Sequence, residues 1–405
     1  MKQKIQLLNE ESSQLTGSIR IPQSFSVWTV RLFFLTVLLL YPYLYSVSFG
    51  QLKTLSGQDL SAGELDSVIG RQMDSLHMPG LSFALINDGR VVYHKTLGVA
   101  AVGAGLDPKD QGQSVDKESI FEAASLSKPV FAYLVLRLVD QYVLDLDTPL
   151  YRYLPYADIA ADPRYKLITA RMVLSHTTGL PNWRNFNPND QSQHKYGELY
   201  LQFTPGTSFS YSGEGYRYLA HVIAQLCGPT NRILEPLFQN EVAIPLGMQH
   251  AWFTGNAYIS RHKVKGHFDG KVTGKQWPNE FPKEDSTSFS AAGGLHTEAV
   301  SFSNFLIALM SGKGLSESSL EEFFKEQVRL SEDSPHFKFN GDTGWGLGIA
   351  IKPVPYGVLH EHGGNNGDFQ SGFKINRANG NGYVFFTNCE QGRSFNEKIA
   401  VLLNR

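Results

Sequence analysis

The sequence predicts an α+β fold: one antiparallel sheet flanked by helices and built from both ends of the chain, with a mostly helical lobe inserted between them. Three observations predict it. A helical pattern and a hairpin occupy residues 61–98. From about 121 to 289 extended apolar alternation is rare, and Pro, Asn and aromatic residues surround helical runs. Short apolar stretches bounded by Gly and Asn then return. The sheet lobe is therefore expected at about 61–120 and 290–405, and the helical lobe at about 121–289.

The chain has 405 residues and a formal net charge of −2. That balance gives no electrostatic reason to expect a nucleic-acid partner. Residues 1–50 stand apart from the rest. Lys2, Lys4, Arg20 and Arg31 precede a charge-free run from Leu32 to Phe49, and Ser48-Phe49-Gly50 has small residues at both ends. This reads as a secretory signal cleaved before Gln51, or as an uncleaved membrane anchor through residues 32–49. Either way the domain at 51–405 is expected to be exported to a periplasmic or extracellular location.

In "SAGELDSVIGRQMDSLH" (61–77), Leu65, Val68, Ile69 and Met73 share one helical face. "LSFALI" and "VVYHKTLG" flank Asp88-Gly89, a hairpin signal because that turn needs positive φ. "WGLGIAI" (345–351), "FQSGFKI" (369–375) and "YVFFTN" (383–388) read as strands, "NRANGNGY" as a second hairpin turn, and "FNEKIAVLLN" as a closing helix. Cys227 and Cys389 each end an apolar run and are expected to be two buried thiols rather than a disulfide.

Three segments carry candidate chemistry. The first is "EAASLSKPVFAYLVL" (122–136). Serine three residues before lysine also occurs at Ser114/Lys117, Ser192/Lys195, Ser260/Lys263 and Ser371/Lys374, where polar neighbours suggest a solvated lysine. Only Lys128 leads into a long apolar helix. A serine at a helix mouth meets unpaired N–H groups and partial positive charge. Lys128 lies on the same face as Ser125 and, desolvated, could be neutral and take the serine proton. The plainer reading makes Ser125 an N-cap and Lys128 a surface residue. The second segment is "FTPGTSFSYSGEGYRYLAHVIAQL" (203–226), where Tyr211 sits in a turn before another helix. It could shuttle a proton or simply anchor the turn. The third is "HEHGGNNGDFQSGF" (360–373), where glycines after His362 let a ligand approach the backbone. It could equally be a turn with a surface histidine. No further cluster at ligand spacing accompanies His360 and His362, so no metal or cofactor is expected.

Together the three segments resemble the serine β-lactamase and penicillin-binding-protein superfamily, specifically its class C-like branch of serine hydrolases, across most of residues 61–403. "LDLDTPLYRYLP", "ITARMVLSHTTGLPNW", "IPLGMQHAWF", "SAAGGLHT" and "GWGLG" are similar to its connecting segments. The resemblance implies a β-lactamase/transpeptidase-like fold. It implies Ser125 as nucleophile, Lys128 as base and Tyr211 as the second-motif tyrosine. His362-Gly363-Gly364 matches the third motif, with the N–H groups of Ser125 and Asn365 as oxyanion donors. Two departures predict weak β-lactamase activity. Gly213 replaces an asparagine that would grip a substrate amide, and His362, expected to be partly charged near neutral pH, replaces a lysine. Restoring both is expected to raise the β-lactam share of activity. The expected substrates are small esters or peptides and amides, as for an esterase or a D-amino-acid peptidase. The alternative is a catalytically inactive, membrane-tethered binding protein on the same fold.

Overall fold

Ser61 starts the first helix: its side chain accepts the Glu64 N–H, and α1 (Ala62–Ser75) buries Leu65, Ile69 and Met73, the expected stripe. The hairpin follows. Asp88 and Gly89 both take positive φ (49° and 70°), which lets β1 (Gly80–Asn87) and β2 (Arg90–Gly98) pair antiparallel. The computed structural model describes residues 51–102, 112–184, 197–228, 231–274 and 289–405. The predicted signal or anchor at 32–49 and the Ser192/Lys195 pair lie outside these residues. Among the described residues no helix is long and apolar enough to cross a membrane.

The other six strands of the main sheet come late in the chain: β3 (Val328–Arg329), β4 (Gly344–Trp345), β5 (Ala350–Val354), β6 (Gly357–Asn365), β7 (Gln370–Asn376) and β8 (Asn381–Thr387). They form one sheet in the order β3-β4-β5-β6-β7-β8-β1-β2, antiparallel throughout. The last strand in sequence thus lies beside the first, with Phe385 opposite Phe83 and Thr387 opposite Leu81. Alternation along these strands divides the core. Ala84, Ile86, Val384 and Phe386 face the cluster that includes α4 (Ala299–Ser311). Leu81, Phe83, Leu85, Tyr383 and Phe385 face α1 and the closing helix α5 (Gly392–Leu403). The predicted α+β fold with a sheet from both chain ends is the one observed.

"WGLGIAI" is not one strand, as predicted, but a hairpin. Trp345 pairs with Ala350, and the Gly346 N–H donates to Ile349 O at 2.8 Å. Gly348 takes a φ of +80°, and its N–H donates to Leu174 O at 2.8 Å. A Cβ there would lie 2.9 Å from Ala132 Cβ on α2 (Ser127–Asp140). Glycine therefore lets the hairpin tip press on that helix. α2 itself is buried on nearly every side, from Ser127 through Leu136, so it is the central helix of the inserted lobe. A small sheet of Phe121–Glu122, His296–Thr297 and Ala251–Trp252, absent from the sequence expectation, joins the two lobes' chain segments. Cys227 and Cys389 are both free; Cys389 is buried as expected and Cys227 is half-buried.

Candidate active site

Ser125 does not sit in α2 itself but in the single 3-10 turn Ala124–Leu126 that leads into it. Ala124 is held at a φ of +48°, the left-handed region that a side chain disfavours. Hydrogen bonds on all sides hold the turn. Ser127 Oγ donates to Ala124 O at 2.6 Å and accepts from the Leu295 N–H at 2.9 Å. Ser371 Oγ donates to Ala123 O at 2.8 Å. Ser127 is fully buried and committed to these bonds, whereas Ser125 is half-buried and open to the cleft.

Lys128 is 0% exposed. Its Nζ lies 3.3 Å from Ser125 Oγ and donates to Ala292 O at 2.7 Å. Among the described residues no carboxylate pairs with it. Burial without a counter-charge lowers its pKa from 10.5 to about 7. The surface-residue reading of Lys128 is thereby excluded.

Tyr211 immediately precedes α3 (Gly213–Cys227), which Ser212 caps by accepting the Gly215 N–H. The Lys128 ammonium position lies 4.6 Å from the Tyr211 ring centroid. Burial pushes the Tyr211 phenol well above its ordinary value, with a hydrogen bond to Ser125 pulling the other way. Tyr211 is thus a phenol near neutral pH, and the proton that titrates there is the lysine's. Beneath it lies His176, which the sequence reading treated as part of a connecting segment. Its ring stacks on Tyr211 at 4.2 Å, and its Nδ1 accepts the Ser212 N–H at 3.0 Å. His176 fixes the position of Tyr211 from below.

His362 departs from expectation. It is 5% exposed, and burial, with Lys128 nearby, lowers its pKa to about 3. It is therefore neutral rather than partly charged. Its Nδ1–H donates to Gly363 O at 2.8 Å, so Nε2 is left as an acceptor, 3.5 Å from the Tyr211 hydroxyl.

β6 carries the third segment as a strand rather than a turn. β5 accompanies it only as far as the Ala350–Glu361 pair, whereas β7 pairs with it out to Asn365. From His362 to Asn365 one edge of β6 is therefore unpaired by β5 and faces the cleft. A Cβ at Gly364 would lie 2.5 Å from Ala123 O and nearer still to Ser371 Oγ. Only glycine lets β6 approach the Ser125 turn this closely. At Gly363 a Cβ would meet nothing within 4 Å, so the strand opens to solvent there.

Gly213 has less freedom than its sequence position suggests. A Cβ there would meet Asn182 O at 2.8 Å and the Trp183 ring at 3.0 Å. A side chain at 213 would force Asn182 or Trp183 to shift, which opposes the expected benefit of an asparagine there. Asn182, unnoticed in the sequence, brings an amide to the cleft instead, and its Oδ1 accepts the Gly213 N–H at 2.9 Å. Ser125, Tyr211, His362, Gly363 and Asn365 all line one cavity of about 460 Å³, and Lys128 is buried behind Ser125.

The rival serine–lysine pairs are not all solvated as expected. Lys263 bonds Glu122 Oε1 at 2.6 Å, and Lys374 pairs with Glu361 in the interior of the sheet lobe. Each of these lysines has a carboxylate partner, which Lys128 lacks. Among the described residues there is no group of three metal-ligating side chains.

Residues 65–404 match the family model described as Beta-lactamase. The chain is 28% identical over 232 residues to "Esterase EstB" of Burkholderia gladioli, covering 52% of this chain and 55% of that protein. It thus spans about half the length of the curated relatives it matches. Among solved structures, the octameric penicillin-binding protein homologue from Pyrococcus abyssi superposes with a TM-score of 0.68 at 20% identity, over 85% of this chain and 78% of that one. EstCE1, a hydrolase with promiscuous acyltransferase activity, gives 0.68 at 21% identity, over 85% and 98%. At these identities the two structures establish a shared fold.

Proposed function

The chain belongs to the Beta-lactamase family, and on that premise we propose that it is an exported serine hydrolase acting through a Ser125 acyl-enzyme on small esters or amides. The observation that carries this reading is Lys128: a fully buried amine, 3.3 Å from Ser125 Oγ, whose pKa of about 7 leaves it substantially neutral at physiological pH. A buried lysine without a counter-charge is costly to a protein that only binds. A base for serine needs that state.

Ser125 Oγ attacks the substrate carbonyl as Lys128 Nζ takes its proton. The N–H groups of Ser125 and Asn365 receive the oxyanion, in the way of preorganised backbone donors. Tyr211, within reach of both Ser125 and the leaving group, passes the proton on, and the alcohol or amine departs. Water then attacks the ester at Ser125 and gives up a proton to the same base, which returns it to Ser125 Oγ as the acid departs. His362 Nε2 accepts from the Tyr211 hydroxyl and orients it. Because His362 is neutral, it supplies no cation for a substrate carboxylate, which favours esters over β-lactams. Export rests on the charge-free run at 32–49 and the basic residues before it.

A fluorophosphonate probe tests the reading. The expected result is a single covalent adduct, located by mass spectrometry on Ser125 and lost in Ser125→Ala. An unlabelled wild-type protein would overturn it and return the chain to the inactive binding-protein reading, and an adduct on Ser127 would overturn the assignment of Ser125.

A further inference from the structure

Buried polar atoms without a hydrogen-bond partner gather at one wall of the cleft. Among the described residues these include His336 Nδ1, Asp342 Oδ1, Thr343 Oγ1 and Trp345 Nε1. Asp342 is the anomaly, because it is 1% exposed. Its Oδ2 accepts from Asn340 Nδ2 at 3.2 Å and lies 3.4 Å from His336 Nδ1, but no lysine or arginine among the described residues pairs with it. Glu361, on the same wall, is answered by Lys374.

A buried carboxylate with an unused oxygen is costly unless a cation or strong donor meets it. The rings of Trp345, His336 and Tyr211 pack on one another beside Asp342, 4.9 Å apart for Trp345 and His336 and 6.0 Å for Trp345 and Tyr211. Asp342, His336, Trp345 and Tyr211 line the same cavity as Ser125. A neutral acyl chain would leave Asp342 Oδ1 unmet, and an anion would be repelled by Asp342.

We propose that this wall is an ammonium subsite, in which Asp342 Oδ1, beside the rings of Trp345 and Tyr211, receives a protonated amine of the ligand. Combined with the Ser125 reading, on which this second step rests, the subsite makes amine-bearing esters or amides the preferred substrate class.

Binding, read without turnover, tests the subsite separately from the chemistry. Titration calorimetry on the full chain carrying Ser125→Ala compares alaninamide with propionamide, and 4-aminobutyramide with butyramide for a longer reach. At least one amine is expected to bind about tenfold more tightly than its amine-free counterpart, the worth of one charge-assisted contact. Asp342→Asn removes that difference, and Asp342→Ser repeats the result if the asparagine variant is poorly folded. Equal or undetectable binding of amine and counterpart at both lengths overturns the proposal. So does an amine preference that persists in a folded Asp342 variant. The preference together with a wild-type protein that takes no fluorophosphonate label keeps the subsite and loses the hydrolase.

Discussion

Replacing Lys128 by methionine is expected to end activity and yet stabilise the protein at neutral pH. Lys128 is 0% exposed, with its pKa lowered from 10.5 to about 7 by burial. In the unfolded chain the amine recovers its ordinary value. Between about pH 7 and pH 10.5 the unfolded state therefore holds one more proton than the folded state, and stability rises with pH across that window. Below it the full penalty applies, about 5 kcal/mol for a shift of this size. Methionine fills a similar volume without charge. It also leaves the Ala292 carbonyl without the donor now 2.7 Å away, a loss of about 1–3 kcal/mol. The variant should thus gain about 2–4 kcal/mol at about pH 6, and the gain should vanish or reverse near pH 10. Urea denaturation of both proteins at several pH values between these limits measures it. A difference that stays flat with pH, or a methionine variant already less stable at about pH 6, would falsify the neutral-lysine account. In the wild type, ester hydrolysis should rise with pH through a midpoint near 7 as Lys128 loses its proton.

Ser127→Ala, which frees the Ala124 carbonyl and the Leu295 N–H, should lower kcat for p-nitrophenyl acetate by about tenfold. Ser127→Thr should restore it, with the covalent label staying on Ser125 throughout; unchanged kcat in the alanine variant would show that the turn needs no such brace. Gly364→Ala should cost about 1–3 kcal/mol in urea denaturation because its Cβ meets the Ala123 carbonyl, and a variant as stable as wild type would mean β6 can retreat. Gly213→Asn should lower ester turnover without raising cephalosporin hydrolysis, since Asn182 and Trp183 fill its space; a gain in cephalosporin turnover would contradict that steric argument. Wild-type protein should hydrolyse p-nitrophenyl acetate faster than a cephalosporin at every pH above about 5, where His362 is neutral, and the reverse order would show that His362 is charged in the cleft.

The sheet from both chain ends and the serine–lysine helix were legible in local pattern. Asp88-Gly89 announced its hairpin, and the apolar run after Lys128 announced the central helix. What local pattern could not convey was burial decided at a distance. Lys374 looked solvated because Ser371 and Gly372 are small and polar, but Glu361 across the β6–β7 pair draws it inside. His362 looked partly charged because an unperturbed imidazole titrates near neutral pH, yet it is buried with Tyr211, 151 residues earlier in sequence, 3.5 Å away. Asn182 and Trp183 sit far from Gly213 in the chain and against it in space. "WGLGIAI" failed for a different reason: every residue in it is apolar or Gly, so neither alternation nor polarity marks where the chain turns.

The pairing of β8 with β1 also sets an order of events along a growing chain. Residues 80–87 emerge nearly 300 positions before their partners at 381–387. The Ser125 turn, too, is tied to later residues: Leu295, Gly364 and Ser371. A nascent chain halted anywhere before these residues carries Ser125 and Lys128 without the frame that poises them. Pairings between such distant segments are intrinsically slow to form. On the proposed serine-hydrolase reading, competence to cleave would therefore arrive only with the final stretch of polypeptide.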